Sequence, residues 1–382
     1  RHTWSSRGRC CRCTLVAGTT MAPEPSSDRT LITQTIADVR GIDADAQAGA
    51  RAAMDAKTKP RGSLGRLEDL ATRIAGIRGT AQPARLVPAV IVCAADHGYA
   101  DEGVSAYPAE VTAQMVGTLA DGGAAACVLA REARACLRVV DVGVRSPVEH
   151  PSVLSRRVRA GTANAVRGPA MTIEEAEQAV AVGIHLAADL VAEGFTMVAL
   201  GEMGIGNSTA ASAVTAGLLQ VDPAVVSGRG TGVDDEGLRR KVDTVRRALD
   251  TNAAHPAHPT DPLTVLAGVG GLEIAALAGV TLGCAASRVP VLVDGFITAA
   301  AALAAVSMAP AGVDTLVAAH CSVEPGHRVI MDALGLEPLL DLGLRLGEAS
   351  GAALALPLLG SALAILSDMA TFTDAGVTDA GA

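Results

Sequence analysis

The 382-residue chain is poor in aromatic side chains and has no basic stripe. Three Phe, two Tyr and one Trp occur in the whole sequence, and the formal net charge is −9. Nucleic-acid binding depends on clustered Lys and Arg that neutralise backbone phosphates. The composition therefore predicts no nucleic-acid partner.

The cysteines show no spacing that is typical of a disulfide framework. Three of the eight, Cys10, Cys11 and Cys13, lie within the first 20 residues, and the other five are scattered. Secreted domains that depend on disulfides carry regularly spaced pairs. We therefore expect a reducing, cytoplasmic environment.

Long hydrophobic runs that would clearly span a membrane are also missing. The stretch "GFITAAAALAAVSMAPAGV" (295–313) is mostly Ala and contains Pro310, and "GAALALPLLGSALAILS" (351–367) is interrupted by Pro357. A membrane helix needs about 20 predominantly apolar residues. We interpret both stretches as buried helices of a soluble protein.

The first 20 residues differ from the remainder of the chain. They hold four Arg and no acidic residue, and Met21 follows them. A targeting presequence is one interpretation, since such segments are rich in Arg and Ser. We favour an upstream extension, and expect residues 1–27 to be disordered or non-native and to lie outside the fold.

Apolar strand patterns alternate with helical patterns along the rest of the chain, which predicts an α/β fold with a parallel sheet flanked by helices. The predicted strands are 86–94, 137–143, 195–201, 289–295 and 314–320. Thr172 and Glu175 form a capping box that begins a helix over 172–194. We expect a large Rossmann-like domain at 86–330 that contains the active site. The helical segments 28–85 and 331–382 would form a small domain beside it, with a flexible C-terminal tail.

Ionisable residues follow most of the predicted strands. The positions concerned are Asp96, His97, Asp141, Glu202, Asp294, His320, Glu324 and His327. Ligands of open parallel sheets bind at the carboxyl ends of the strands, so these positions predict a site there. Glycine-rich turns at 201–209 and 228–241 are candidates for phosphate binding, although such turns are weak signals. Neither a Walker A loop nor the diphosphate-binding loop of many phosphoribosyltransferases is present.

Two other chemistries remain open as minor alternatives. Asp96, His97, Asp294 and His320 could hold a metal ion, but no spaced ligand pair such as HExxH supports them. Cys321 could act as a nucleophile with a neighbouring His. Adjacent residues on an extended chain point to opposite sides, however, which disfavours His320 as its base.

Several long motifs are similar to those of the nicotinate-nucleotide:dimethylbenzimidazole phosphoribosyltransferase family, often called CobT. The resemblance runs in order from about residue 28 to about residue 372. It is carried by "KPRGSLGRLEDLA" (59–71), "ADHGYADEGVSAYPAEVTAQMV" (95–116), "GEMGIGNSTAASA" (201–213), "KVDTVRRAL" (241–249), "VPVLVDGFITAAAALA" (289–304), "SVEPGHR" (322–328) and "LRLGEASGAALALPLL" (344–359).

The resemblance implies transfer of phosphoribose from nicotinate mononucleotide to 5,6-dimethylbenzimidazole, giving α-ribazole 5′-phosphate and nicotinate. It also implies a homodimer that uses no cofactor and no metal. Glu324 would be the catalytic base, taking the N–H proton of the benzimidazole as the other ring nitrogen attacks. The resemblance assigns two further sets of residues. The benzimidazole pocket would contain Tyr107, Pro108, Gln114, Met115 and Ser322, and the phosphoribose site Glu202, Gly204, Gly230 and Lys241.

Alternatives to this function remain. The same fold could serve another acceptor, such as adenine, another benzimidazole or a phenol. A protein that binds nucleotides without catalysis, or a metal-dependent hydrolase, would be further departures. The resemblance assigns no role to Asp294, His97 or His320.

Overall fold

The computed structural model describes residues 25–252 and 261–378. A helix begins at Pro25, so residues 1–24 of the expected upstream extension lie outside the described residues. The last four residues of the expected flexible tail, 379–382, lie outside them as well.

A six-stranded parallel sheet forms the centre of the described chain, in the order β3-β2-β1-β4-β5-β6. Its strands are β1 (Pro88–Ala95), β2 (Cys136–Gly143), β3 (Val153–Ser155), β4 (Met197–Met203), β5 (Val291–Val293) and β6 (Leu316–Ala318). The order reverses direction between β1 and β4, where the chain has crossed from one side of the sheet to the other. The α/β class predicted from the sequence is confirmed.

The sheet is buried on both faces, because successive side chains of a strand point to opposite sides. In β1, Ile91 and Cys93 pack into one hydrophobic core, whereas Val90 and Val92 pack into another. This explains why the sequence of β1 reads as a continuous apolar run rather than an alternating one.

Within the described ranges, nine helices cover the face of the sheet that contains Ile91. They are α1 (Pro25–Asp38), α6 (Ile173–Ala192), α7 (Asn207–Leu219), α8 (Pro223–Val226), α9 (Asp235–Thr251), α10 (Pro262–Val269), α11 (Leu272–Ala286), α12 (Phe296–Met308) and α13 (Pro325–Leu334). The predicted capping box of α6 is present, with Thr172 accepting from the backbone of Glu175.

Five of the described helices lie on the opposite face. They are α2 (Ala44–Asp55), α3 (Arg66–Arg78), α4 (Val111–Ala120), α5 (Ala125–Glu132) and α14 (Ser350–Asp368). Helix α14 packs on α2, α3 and α5, and a last short helix, α15 (Phe372–Ala375), follows it. The backbone of Thr58 donates to Ala370, which ties the chain after α14 to the chain after α2. Helices α2, α3 and α14 thus share one hydrophobic core with this face of the sheet, whereas α1 packs on the other face.

Three local predictions were wrong. The segment predicted as one helix over 109–133 is split into α4 and α5 by a turn in which Gly122 has a φ of +78°. Strand β3 was missed, since three residues carry no readable period. The sequence also predicted a helical segment from residue 331 onward, but 335–349 is largely a loop between α13 and α14.

Two described segments are long and apolar enough to cross a membrane by length and composition, Val111–Glu132 and Ser350–Asp368. The first consists of two short helices, each below the ~20 residues that a span requires. The second is α14, which lies in the core against α2, α3 and α5. The other stretch considered from sequence, 295–313, forms the buried helix α12.

Candidate active site

A cavity of about 720 Å³ opens at the carboxyl ends of β4, β5 and β6. Its walls come from the loops that follow these strands, from α4 and from the loop before α14. It therefore lies beside the point where the strand order reverses, which is the usual ligand position in this class of sheet. The residues that line the cavity include Tyr107, Val111, Met115, Glu202, Gly204, Asn207, Ser208, Gly230, Phe296, His320, Ser322, Glu324, Arg345, Leu346 and Glu348.

The fold brings most of the sequence-predicted site residues to this one cavity. Seven of them line it: Tyr107, Met115, Glu202, Gly204, Gly230, Ser322 and Glu324. Pro108 and Gln114 are exposed and lie outside its wall, since their neighbours Tyr107 and Met115 provide the contacts instead. Lys241 does not line the cavity either, because it is buried behind the wall.

Glu324 stands between β6 and α13, with the two oxygens of its carboxylate in different surroundings. It is the residue before the helix, in an extended conformation, and Pro325 occupies the first helical turn. Oε1 accepts from the Gly230 N–H at 2.9 Å, whereas Oε2 is buried with no hydrogen-bond partner among the described residues. The side chain is thus held at one oxygen and unpaired at the other.

The loop at 228–230 separates Glu324 from Lys241. The Lys241 ammonium donates to the Gly228 carbonyl at 3.0 Å and to Ser208 Oγ at 2.8 Å. Burial lowers the pKa of Lys241 to about 8, and the charge of Glu324 opposes that shift. A Cβ built on Gly228 would lie 2.2 Å from Glu324 Oε2, so only glycine allows this approach.

Glu202 ends β4 and is held on both oxygens. Asn207 Nδ2 donates to Oε2, and the Glu348 N–H donates to Oε1 at 3.4 Å. Burial raises the pKa of Glu202 to about 8, with further contributions from the negative charges of Glu273 and Asp294. At neutral pH the Glu202 carboxyl therefore holds a proton and can donate a hydrogen bond.

Asp294 and two histidines lie beneath the loop that carries Glu324. Asp294 Oδ1 accepts from the Ala352 N–H at 2.7 Å, and burial raises the pKa of Asp294 to about 7. His320 Nε2 is 3.6 Å from Asp294 Oδ1, and its ring stacks on His327. Burial, followed by the neighbouring His320, lowers the pKa of His327 to about 4, so His327 is neutral. Its Nδ1 accepts from the Ser322 N–H at 3.4 Å.

The residues considered for a metal site do not converge. His97 Nε2 pairs with Glu273 Oε1 at 2.7 Å, with both side chains fully buried, and Asp96 accepts from the Arg145 N–H. Across the ranges that the structure describes, no three His, Cys, Asp or Glu side chains are grouped to bind a metal ion. The Cys321 thiol donates a long hydrogen bond, 3.9 Å, to the Ser322 carbonyl.

The loop 343–348 is part of the site, although its residues were not predicted to be there from the sequence. Leu344, Arg345, Leu346 and Glu348 line the cavity, and Glu348 has a φ of +59°. The glycines of "LGLRLGEASG" are a signal that could have indicated a loop here instead of a helix. Gly206 holds the N-cap position of α7, which leaves the side chains of Asn207 and Ser208 on the cavity wall.

Comparisons with known proteins agree over nearly the whole chain. A family model described as Phosphoribosyltransferase matches residues 39–377. The nicotinate-nucleotide--dimethylbenzimidazole phosphoribosyltransferase of Chloroflexus aggregans is 52% identical over 350 residues, which is 91% of this chain and 98% of that protein. The protein of the same name from Halalkalibacterium halodurans is 51% identical over 349 residues, 91% of this chain and 97% of that protein.

Solved structures give the same result. The crystal structure of the nicotinate-nucleotide-dimethylbenzimidazole phosphoribosyltransferase from Thermus thermophilus aligns with a TM-score of 0.83 and 50% identity, covering 88% of this chain and 100% of that one. A crystal structure described as CobT from the same organism aligns with a TM-score of 0.83 and 52% identity, covering 87% of this chain and 99% of that one. With its six parallel strands, its cavity and these matches, the chain belongs to the nicotinate-nucleotide–dimethylbenzimidazole phosphoribosyltransferase family of pentosyl-transferring enzymes.

Proposed function

We propose that this protein transfers phosphoribose from nicotinate mononucleotide to 5,6-dimethylbenzimidazole, giving α-ribazole 5′-phosphate for the lower-ligand nucleotide of cobalamin. The observation that carries the proposal is the arrangement of Glu324. Its carboxylate is anchored through Oε1 and lines the cavity, and Oε2 has no protein partner among the described residues. Such an oxygen is suited to accept the N–H of an acceptor base.

The reaction needs one proton acceptor and no acid. The free ring nitrogen of the benzimidazole forms a bond to the anomeric carbon of the ribose, and the bond from that carbon to nicotinate breaks. The electron pair of the broken bond returns to the pyridine nitrogen, which was cationic and leaves neutral. The proton on the second benzimidazole nitrogen passes to Glu324, so no positive charge accumulates on the product.

The phosphoribose is proposed to lie against the start of α7. The N-terminal end of a helix favours anions, and Gly204 and Ser208 form the cavity wall there. Glu202, which holds a proton at neutral pH, would donate to a ribose or ring acceptor. The backbone of Gly230 lies close to Ser208 in the same wall, since a Cβ on Gly230 would lie 2.7 Å from Ser208 Oγ. Only glycine would therefore leave the backbone this close to the phosphoribose.

The direct test is a reaction of the purified protein with nicotinate mononucleotide and 5,6-dimethylbenzimidazole in the presence of a chelator. We expect α-ribazole 5′-phosphate and nicotinate to form in equal amounts, and chromatography measures both products. Related enzymes assayed in parallel serve as the positive control. If they form the product and this protein does not, the proposal is contradicted.

The identity of the base that accepts the phosphoribose is the part of the proposal for which specific alternatives exist. The acceptor end of the cavity is lined by Tyr107, Val111 and Met115, which suits a flat apolar ring. Tyr107 is 56% exposed and leaves room for other bases. Adenine, unsubstituted benzimidazole and phenol in competition with 5,6-dimethylbenzimidazole would rank the acceptors, and preference for one of them would replace the base named here.

A homodimer in the cytoplasm completes the proposal. Apolar side chains at and around the cavity mouth, Tyr107, Val323, Leu342 and Leu346, are each more than half exposed in the single chain. Exposed apolar groups concentrated at one place are typical of a surface that another chain covers. The absence of a disulfide framework in the sequence supports a reducing compartment.

A further inference from the structure

Lys241 is completely buried in α9, and its contacts point toward Glu324 through the loop 228–230. Its ammonium donates to the Gly228 carbonyl and to Ser208 Oγ, at 3.0 Å and 2.8 Å. Two residues beyond Gly228, the Gly230 N–H donates to Glu324 Oε1 at 2.9 Å. The loop is therefore bonded to the ammonium on one side and to the carboxylate on the other.

The space around this loop leaves it little freedom. A Cβ built on Gly228 would lie 2.2 Å from Glu324 Oε2, and one built on Gly230 would lie 3.1 Å from the Lys241 ammonium. Gly230 also has a φ of +53°, a conformation that favours glycine. Movement of the loop would therefore move the oxygen that Gly230 holds.

We infer that Lys241 is a positioning residue for the base Glu324: its ammonium fixes the loop 228–230, whose Gly230 N–H anchors Oε1 of the carboxylate. This rests on the proposed function, in which Glu324 accepts the proton. It differs from a role in phosphate binding, because two of the three ammonium hydrogens are already used within the protein.

Other titratable groups face the same cavity as Glu324. Glu202 and Glu348 line it, and burial raises the pKa of both. Burial lowers the pKa of His320, which is thereby disfavoured as a cation, and Arg345 lies on the exposed loop. Among these described groups, Lys241 is the cation whose charge is coupled to that of Glu324.

The test uses an acceptor that carries no phosphate. Binding of 5,6-dimethylbenzimidazole alone is measured by isothermal titration between pH 6 and 8 for the wild type, for Lys241→Met and for Lys57→Met. Lys57 is a matched buried lysine, with its ammonium bonded to the Met369 carbonyl and outside the cavity wall. We expect Lys241→Met to weaken binding about tenfold, most strongly at the acid end, because the Lys241 ammonium, with its pKa of about 8, is charged there and holds the loop that anchors Glu324. Lys57→Met should bind like the wild type.

A crystal structure of ligand-free Lys241→Met gives a second, ligand-independent result. We expect a displaced loop 228–230 and loss of the bond from Gly230 to Glu324. Should Lys241→Met fail to fold, Lys241→Leu, which likewise removes both the donor and the charge, takes its place in both measurements. A variant that keeps the Gly230 bond, or that binds the acceptor as the wild type does, overturns the inference. A wild type that binds no 5,6-dimethylbenzimidazole would instead contradict the proposed function, and the structural comparison would still decide the role of Lys241.

Discussion

The asymmetry at Glu324 arises from one backbone hydrogen bond. Gly230 satisfies Oε1, while the second oxygen is left buried and unpaired within the described part of the chain. Buried polar atoms without partners are uncommon and costly in folded proteins, and a catalytic role is one explanation for such an atom. At the residue scale, the site is thus defined by one carboxylate oxygen.

Replacing Glu324 with Gln should separate proton transfer from folding. The amide can still accept from Gly230 through its oxygen, so the fold should persist, but an amide cannot take the acceptor proton. We expect kcat to fall by roughly 10²–10⁴-fold, measured by product formation at saturating substrate. Glu337→Gln, at a mostly exposed residue that pairs with Arg66, is the control and should keep full activity. Full activity of Glu324→Gln would remove Glu324 from the mechanism.

Glu202 gives a second prediction at this scale, from its pKa of about 8. In the unfolded chain the same carboxyl ionises near its ordinary value of 4.5. Between these two values the folded protein binds a proton that the unfolded chain has released. The contribution of Glu202 to the free energy of unfolding is therefore fully present below pH 4.5. It decreases as the pH rises to about 8 and changes no further above that pH.

Glu202→Gln removes this titration, since the amide is neutral at every pH. We compare the free energy of unfolding of the variant with that of the wild type at each pH. This difference should favour the variant more at pH 9 than at pH 5, by at least about 1 kcal/mol. Urea unfolding at the two pH values measures the difference. The exposed Glu337→Gln serves again as the control, and an equal offset of Glu202→Gln at both pH values would contradict the assigned proton.

At the scale of elements, helices α6 and α11 approach each other through glycine. A Cβ built on Gly279 of α11 would lie 1.9 Å from the Val180 carbonyl oxygen, and one on Gly183 of α6 would lie 1.8 Å from the Ala276 carbonyl oxygen. Backbone atoms therefore meet where side chains would normally separate the helices. This close pair supports the face of the sheet on which α7 and α12 also lie.

Gly279→Ala should consequently be much more damaging than a helical glycine substitution usually is. The added methyl group must push two backbones apart, which we expect to lower the free energy of unfolding by about 2–3 kcal/mol. Gly360→Ala in α14 is the matched control, since nothing lies within 4 Å of its Cβ position. It should be neutral or stabilising by up to about 1 kcal/mol, because Ala favours helix more than Gly. Equal melting temperatures for both variants would contradict the close packing.

At the scale of the whole molecule, the exposed apolar residues around the cavity predict self-association. Light scattering of the purified protein is expected to give twice the mass of one chain. Leu346→Asp, which places a charge on the apolar rim, should shift the species toward monomer and weaken activity together. A wild type that stays monomeric at micromolar concentration would exclude the homodimer.

Much of this molecule was predictable from local pattern. Five of the strands were predicted near their observed positions, and the cap of α6 was predicted from Thr172 and Glu175, because burial on both faces and capping leave signals within a few residues. The motif containing Glu324 indicated the family. The three-residue strand β3 left no such signal, since tertiary contacts define it. The turn within 109–133 did leave one, the Asp-Gly-Gly sequence at 121–123, which the prediction of a single helix overlooked.

The sequence by itself determined the fold class, the strand ends at which polar groups collect and the identity of the candidate base. Only the tertiary structure decided how these groups meet. It brought the loop 343–348 to the cavity, left Pro108 and Gln114 outside its wall, and placed Lys241 behind the glycine loop instead of in the open cavity. The reason is physical: hydrophobic period and capping act over a few residues, whereas burial and hydrogen bonding at Glu324 depend on segments nearly a hundred residues apart in the chain.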